Sequence, residues 1–247
     1  MSVPSRPESV ALLLSLDPPP WHLRHSRAVA ETAAWLARRA ASAGVSVDRR
    51  LVEAAALLHD VDKLATVQPE VEGLRHADGS AAWLKRHGYA ELAPLILGHP
   101  VTRLADAAWF EAWFPSALPE ALIVAYADKR AGQRLETMAQ RFASWRRRYP
   151  PAERAARARG SWTEATLAEV WNRAEALELR VCSLAACSPA EVRRLPWTGP
   201  LVRAARSELP PRRAGARERP VRASGSEPRV RGDRSNSLVR ASRTGRP

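Results

Sequence analysis

Six histidines stand in the first 99 residues of this 247-residue chain, at positions 22, 25, 59, 76, 87 and 99. One of them closes an apolar stretch, Ala55–Leu58, and is followed directly by an acid, giving His59-Asp60. Neighbours on a helix project about 100° apart, so the two side chains cannot share one solvent-facing side. They can share a cation lodged in a groove between helices. A second acid, Asp128, follows the apolar run Ile123–Ala127. A carboxylate buried there without a partner would cost several kcal/mol, so it calls for a metal or a basic group. Neutral imidazole and carboxylate together suit Fe, Mn, Co or Zn.

The elements that must position these groups read as helices. Residues 26–43 carry Val29, Ala33, Leu36 and Ala40 at helical spacing and stop at Gly44, which suits a left-handed cap. Asp48 caps a second helix running through Leu51, Ala55 and Leu58 to about Lys63. Further helices are predicted over 78–87, 90–97 and 103–114. Pro119 suits the first turn of a long helix reaching Tyr149, ahead of Pro150-Pro151. Residues 163–182 form another amphipathic helix, and Ser188-Pro189 opens a last turn. No alternating strand pattern and no internal repeat is present. The fold class is therefore all-α. Trp35, Trp83, Trp109, Trp113 and Trp171 lie on apolar helix faces and read as core.

Composition narrows the function classes. Two cysteines, Cys182 and Cys187, exclude a disulfide scaffold and a Cys-rich zinc fold, and read as packing thiols of a reducing compartment. The early apolar run 10–16 is too short to span a bilayer, and Glu8 precedes it where a signal peptide needs positive charge. A cytoplasmic protein with no membrane contact is the expectation. The net charge is +13, but residues 201–247 hold thirteen Arg, no Lys and four acids, or +9 of that total. That segment is rich in Ser, Pro and Gly and poor in large apolar residues, so it reads as a disordered Arg-rich tail. Residues 1–19 read as an N-terminal extension, 20–185 as the helical domain and 186–200 as a linker.

The order His25, His59-Asp60, Asp128, with His25-Ser26-x-x-Val29-Ala30, Leu57-Leu58-His59-Asp60-x-x-Lys63 and Tyr126-Ala127-Asp128-Lys129, resembles the HD-domain superfamily of metal-dependent phosphohydrolases. The likeness covers about residues 20–150. His76-Ala77-x-x-Ser80-Ala81 and Leu97-Gly98-His99 extend it, and the complete order is similar to that of YqeK-type hydrolases, which cleave diadenosine tetraphosphate at a two-iron centre. Pro100 departs from that pattern, where a small hydroxyl residue is usual, and the stretch between Asp60 and His76 is shorter.

The resemblance implies an HD helical bundle with a metal site between helices, binding one or two divalent ions. Its ligands would be His25, His59, Asp60 and Asp128 for one ion, and Asp60, His76 and His99 for the other, with Asp60 as bridge. A metal-activated hydroxide would attack phosphorus in line, on a phosphorylated small molecule of nucleotide type. Lys63, one helical turn past His59, would act with Asp60 in catalysis and bind a substrate phosphate as a point charge. Arg103 and Arg134 are further substrate-binding candidates, with Lys129 and Arg130 behind them. His22 and His87 lack matching context and read as satisfied polar residues.

Two alternatives stay open at this point. One is a one-metal nucleotidase or phosphodiesterase of the same superfamily. The other is a nucleic-acid-binding protein that touches RNA or DNA phosphates non-specifically through its tail, with a non-catalytic HD body. The last reading predicts salt-dependent binding of duplex DNA or RNA in a filter assay, lost when residues 201–247 are deleted. Binding that survives the deletion would remove it.

Overall fold

Helix follows helix in the computed structural model, which describes residues 3–132, 134–150 and 162–193. The chain divides into two units, 1–210 and 211–247, and every described residue belongs to the first. The expected disordered tail lies outside the described residues. No strand occurs among those described.

The centre of the bundle is α2 (Pro20–Ser42), α3 (Arg49–Leu58) and α8 (Pro119–Arg130), which pack on one another. The residues expected on the apolar stripe of α2, namely Val29, Ala33, Leu36 and Ala40, are all buried. Gly44 ends that helix at φ 84°, and Asp48 caps α3 by accepting from the Arg50 and Leu51 amides. α8 is apolar on all sides, and residues 121–127 are all buried, as a helix in the middle of a core must be. Around this centre lie α4 (Asp78–Arg86), α5 (Ala93–Ile96), α6 (Val101–Ala105) and α7 (Ala107–Trp113). α10 (Glu164–Leu184) packs across α6 and α8, burying Leu167, Val170, Ala174 and Leu177.

Several expectations need correction. The N-terminal extension contains α1 (Arg6–Ser15), opened by a Ser5/Glu8 capping box and docked on α3 through the buried Leu13. The stretch 103–114 is two helices, because the Asp106 carboxylate accepts from the Trp109 amide and starts α7 afresh. The long helix expected from Pro119 to Tyr149 is also two: α8 ends at Arg130 and α9 (Met138–Arg148) begins after a break. A Thr137/Gln140 capping box starts α9, and the Ala131–Leu135 bridge closes the turn between them. The last turn expected at Ser188-Pro189 is present as α11 (Pro189–Arg193), and Val192 belongs to the core.

A buried polar network clamps α10 to α8. Tyr126 donates to Glu178 Oε1 at 2.6 Å, and the Arg130 guanidinium donates to the same oxygen at 2.9 Å. Arg130 is 1% exposed and also donates through Nε to the Glu136 carbonyl at 2.7 Å, so it spans the α8–α9 break. Removing Glu178 would strand a buried guanidinium, which costs about 3 kcal/mol or more. Glu178→Ala should therefore lower the unfolding free energy measured in urea by about that amount, while Glu175→Ala, at an unburied position on the same helix, should change it little.

Candidate metal centre

Three helix ends and one helix flank deliver the histidines. His59 follows the last residue of α3, and its Nδ1 donates back to the Ala56 carbonyl at 2.8 Å. His99 stands three residues past the end of α5, and its Nδ1 donates to the Ile96 carbonyl at 2.6 Å. Both bonds use carbonyls that a terminating helix leaves free. His25, on the flank of α2, donates from Nδ1 to the Gly132 carbonyl at 2.9 Å, in the break after α8. His76 precedes α4 and donates from Nδ1 to the Asp62 carboxylate at 3.0 Å.

The consequence is chemical. Carbonyl and carboxylate oxygens only accept, so each Nδ1 carries a proton, and a ring that is neutral presents its lone pair on Nε2. These four Nε2 atoms converge in pairs: His25 and His59 at 3.1 Å, His76 and His99 at 3.0 Å. Asp60 stands between the pairs. Its Oδ2 is 3.3 Å from His25 Nε2 and 3.5 Å from His59 Nε2, while its Oδ1 is 3.1 Å from His99 Nε2 and 3.3 Å from His76 Nε2. Asp128 Oδ1 completes the first group, 3.3 Å from His25 and 3.7 Å from His59.

Nitrogen and oxygen atoms gathered at these distances suit a cation between them. Metal bonds of about 2.1 Å at right angles place adjacent ligand atoms about 3 Å apart, which matches the spacing here. His25, His59 and Asp128 could hold an ion together, as could His59, Asp60 and His99, and Asp60, Asp62 and His76. The donor set is nitrogen and oxygen, which fits a divalent transition metal.

The electrostatics agree. Burial disfavours ionisation of Asp60, yet His59, His25, His99 and Lys63 hold its carboxyl well below the usual range. Asp128, despite burial, is likewise held down by His25, His59 and Lys129. Burial also opposes charge on His25, but the two carboxylates outweigh it and raise the imidazole to about 10. His99 goes the other way, lowered to about 3 chiefly by burial, so it is neutral at physiological pH. The centre thus carries fixed negative charge and demands a positive occupant.

A cleft of about 1320 Å³ opens on this centre, with His25, Asp60, His76 and Asp128 in its wall. His59 and His99 lie behind them, 0% and 1% exposed. Lys63 also lines the cleft and donates to Asp60 Oδ2 at 2.8 Å. Arg103 and Arg134 do not line it. Arg103 is paired with Asp78 and covered by the Trp109 ring, and Arg134 is 83% exposed beside Glu136. Lys129 and Arg130 are buried scaffold: Lys129 donates to the Gly98 and His99 carbonyls, fixing the turn that carries His99. His22 donates from Nε2 to the Asp60 carbonyl at 3.1 Å and so steadies the doublet from behind. His87 stacks on Trp83, away from the cluster.

Sequence reasoning missed Asp62. Its carboxylate accepts from His76 Nδ1 and from the Ala77 amide, at a residue with φ 70°. The signal was available, an acid two places after Asp60 in His-Asp-x-Asp, but its partner lies fourteen residues away.

A bundle of helices that closes four imidazoles and two carboxylates around one cleft is a metal-site scaffold. The HD domain family model matches residues 23–132, a segment that contains all six of those residues and ends at Gly132, whose carbonyl orients His25. That match supports an HD-domain superfamily assignment for this segment, and HD domains are typically metal-dependent hydrolases. No curated protein and no solved structure gave a significant match. No helix among the described residues is long and apolar enough to cross a membrane.

Removing the carboxylate that aims His76 should loosen metal on that side. Asp62→Ala is expected to weaken binding of one Mn²⁺ or Zn²⁺ by about 10- to 100-fold in calorimetric titration, the range usual for partners behind a ligand. Equal weakening of all bound metal would mean that Asp62 acts on the fold instead.

Proposed function

We propose that this protein is a two-metal phosphohydrolase acting on a phosphate ester or anhydride of a nucleotide-like substrate. One observation carries the reading: Asp60 gives one carboxylate oxygen to the His25–His59–Asp128 group and the other to the His76–His99 pair. A carboxylate so divided fits a bridge between two ions. Bound there, divalent cations would supply a water that ionises near neutral pH and positive charge for the phosphoryl oxygens.

The chain's own residues do the rest. His25, His59 and Asp128 hold one side of the centre, and His76 and His99 the other. Asp60 keeps both sides in register. Lys63 sits at the cleft wall beside Asp60, and its ammonium has three donors, so it can pair with Asp60 and still meet a phosphate oxygen. The hydrogen bonds on the four Nδ1 atoms fix the rings before substrate arrives, so no reorganisation is needed at the moment of reaction. Phosphoryl transfer asks little more of a protein than such positioning and charge. The cleft is far larger than one phosphate requires, which favours a substrate with a substantial second part.

Elemental analysis of freshly purified full-length protein should find about two transition-metal ions per chain, and a screen of nucleotides and dinucleoside polyphosphates should find turnover. His59→Ala and Asp60→Ala should abolish it, and His76→Ala should reduce the metal ratio toward one. A wild-type ratio near one that His76→Ala leaves unchanged would replace this reading with a one-metal nucleotidase or phosphodiesterase. Protein that holds no metal and hydrolyses no phosphate compound would end it.

A further inference from the structure

The hydrolase reading uses the metal-bearing wall of the cleft. Other walls are formed by α9 and by the first turn of α2. On α9, Arg141, Ser144, Trp145 and Arg148 recur at i, i+3, i+4 and i+7, so one face of this helix lines the cleft. On α2, Trp21 lines the same cleft one turn before His25, about 6 Å along the helix axis from that metal-facing residue.

Two features of this lining are not used by the metal-side residues. The first is apolar exposure. Four large hydrophobic residues are exposed among those described, and two of them, Trp21 at 41% and Leu74 at 51%, line this cleft. Trp21 is the single aromatic of the four, and its indole touches the His22 ring edge-on without being buried. The second is unmatched charge. Of the cations in the lining, Lys63 is paired with Asp60, and Arg141 is occupied by Glu136 and the Lys129 carbonyl. Arg148 has no ion-pair partner among the described residues. Its guanidinium rests over the Tyr149 ring, 5.7 Å from the centroid.

Resting on the hydrolase reading, we propose that Trp21 and Arg148 form a second recognition subsite for the non-reacting end of the substrate. Trp21 stacks an aromatic ring, and Arg148 pairs with a phosphate other than the one cleaved. The substrate class that fits carries a base and at least two phosphates. A bare phosphate monoester would leave both residues unused.

The test is calorimetric binding to the full-length, Mn²⁺-loaded protein, with ATP as the probe carrying a base and tripolyphosphate as the probe without one. Wild type should bind ATP more tightly. Trp21→Ala should weaken ATP about tenfold, the value expected for loss of one stacked base, and leave tripolyphosphate unchanged. Trp21→Phe should stay within about twofold of wild type, because a smaller aromatic face still stacks. Arg148→Gln should weaken both probes about three- to fivefold and flatten the salt dependence. The proposal falls if Trp21→Ala spares ATP or weakens both probes alike, if Arg148→Gln changes neither, or if wild type binds neither probe or both equally. Hydrolysis is scored on the same samples. Absence of turnover with the Trp21 effect intact would sink the hydrolase reading and leave the subsite standing.

Discussion

An imidazole can aim a lone pair only if its other nitrogen is tied down, and that constraint organises this structure. The ties for three of the four clustered histidines are backbone carbonyls at places where helices stop: Ala56 at the end of α3, Ile96 at the end of α5, Gly132 just beyond α8. A helix end always leaves carbonyls without intrahelical partners. Here those carbonyls fix the tautomers. The fourth tie, Asp62, does the same for His76, which has no helix end at hand. The bundle's task is then geometric. It must bring the ends of α3, α5 and α8 and the flank of α2 to one point, and the mutual packing of α2, α3 and α8 does so with small residues such as Ala33, Ala55 and Ala125 at the buried faces.

Tying the rings creates an electrostatic problem that only a cation solves. Four Nε2 atoms and two ionised carboxylates face inward at about 3 Å, and most of them are out of water. The fixed cations nearby do not neutralise this charge. Lys129 is spent on the His99 turn, and Lys63 reaches Asp60 from the cleft side alone. His25, held up at about 10 by its two carboxylates, is the ring where a proton would stand in for the missing charge. An arrangement so unfavourable when vacant is a poor way to stabilise a fold. It is a reasonable way to bind a divalent ion, because the cost of gathering the ligands is met in advance by the rest of the bundle.

Much of this was legible in the sequence, and the reason is local. The apolar stripe of α2, the Asp48 cap and the all-round apolar run before Asp128 each follow from residues within a few places of one another. So does the His59-Asp60 doublet, since a polar pair closing an apolar helix advertises a buried site. What escaped depends on partners distant in sequence. Arg103 was expected on substrate, but Asp78, twenty-five residues away, takes its guanidinium. Arg134 was expected there too, but the turn between α8 and α9 points it to solvent. Asp62 went unassigned because the partner that gives it a role, His76, lies fourteen residues away. The capping boxes of α1 and α9 are different: Ser5-x-x-Glu8 and Thr137-x-x-Gln140 are local signals that periodicity alone passes over.

The break between α8 and α9 shows how a local stop serves two ends of the site. A continuous helix from Pro119 to Tyr149 would be about 46 Å long and would carry its second half away from the metal-bearing cluster. Stopping α8 at Arg130 does two things at once. It exposes the Gly132 carbonyl, without which His25 would have no partner to hold its Nδ1 proton and no defined lone pair. It also lets α9 set off in a new direction, so that Arg141, Trp145 and Arg148 line the cleft. Arg130 braces the turn by donating from Nε to the Glu136 carbonyl, while its Nη1 donates to Glu178 and Tyr126. The orientation of His25 and the wall that α9 gives the cleft therefore depend on the same break after α8 and on one buried guanidinium. A change there would disturb His25 and the α9 wall of the cleft together.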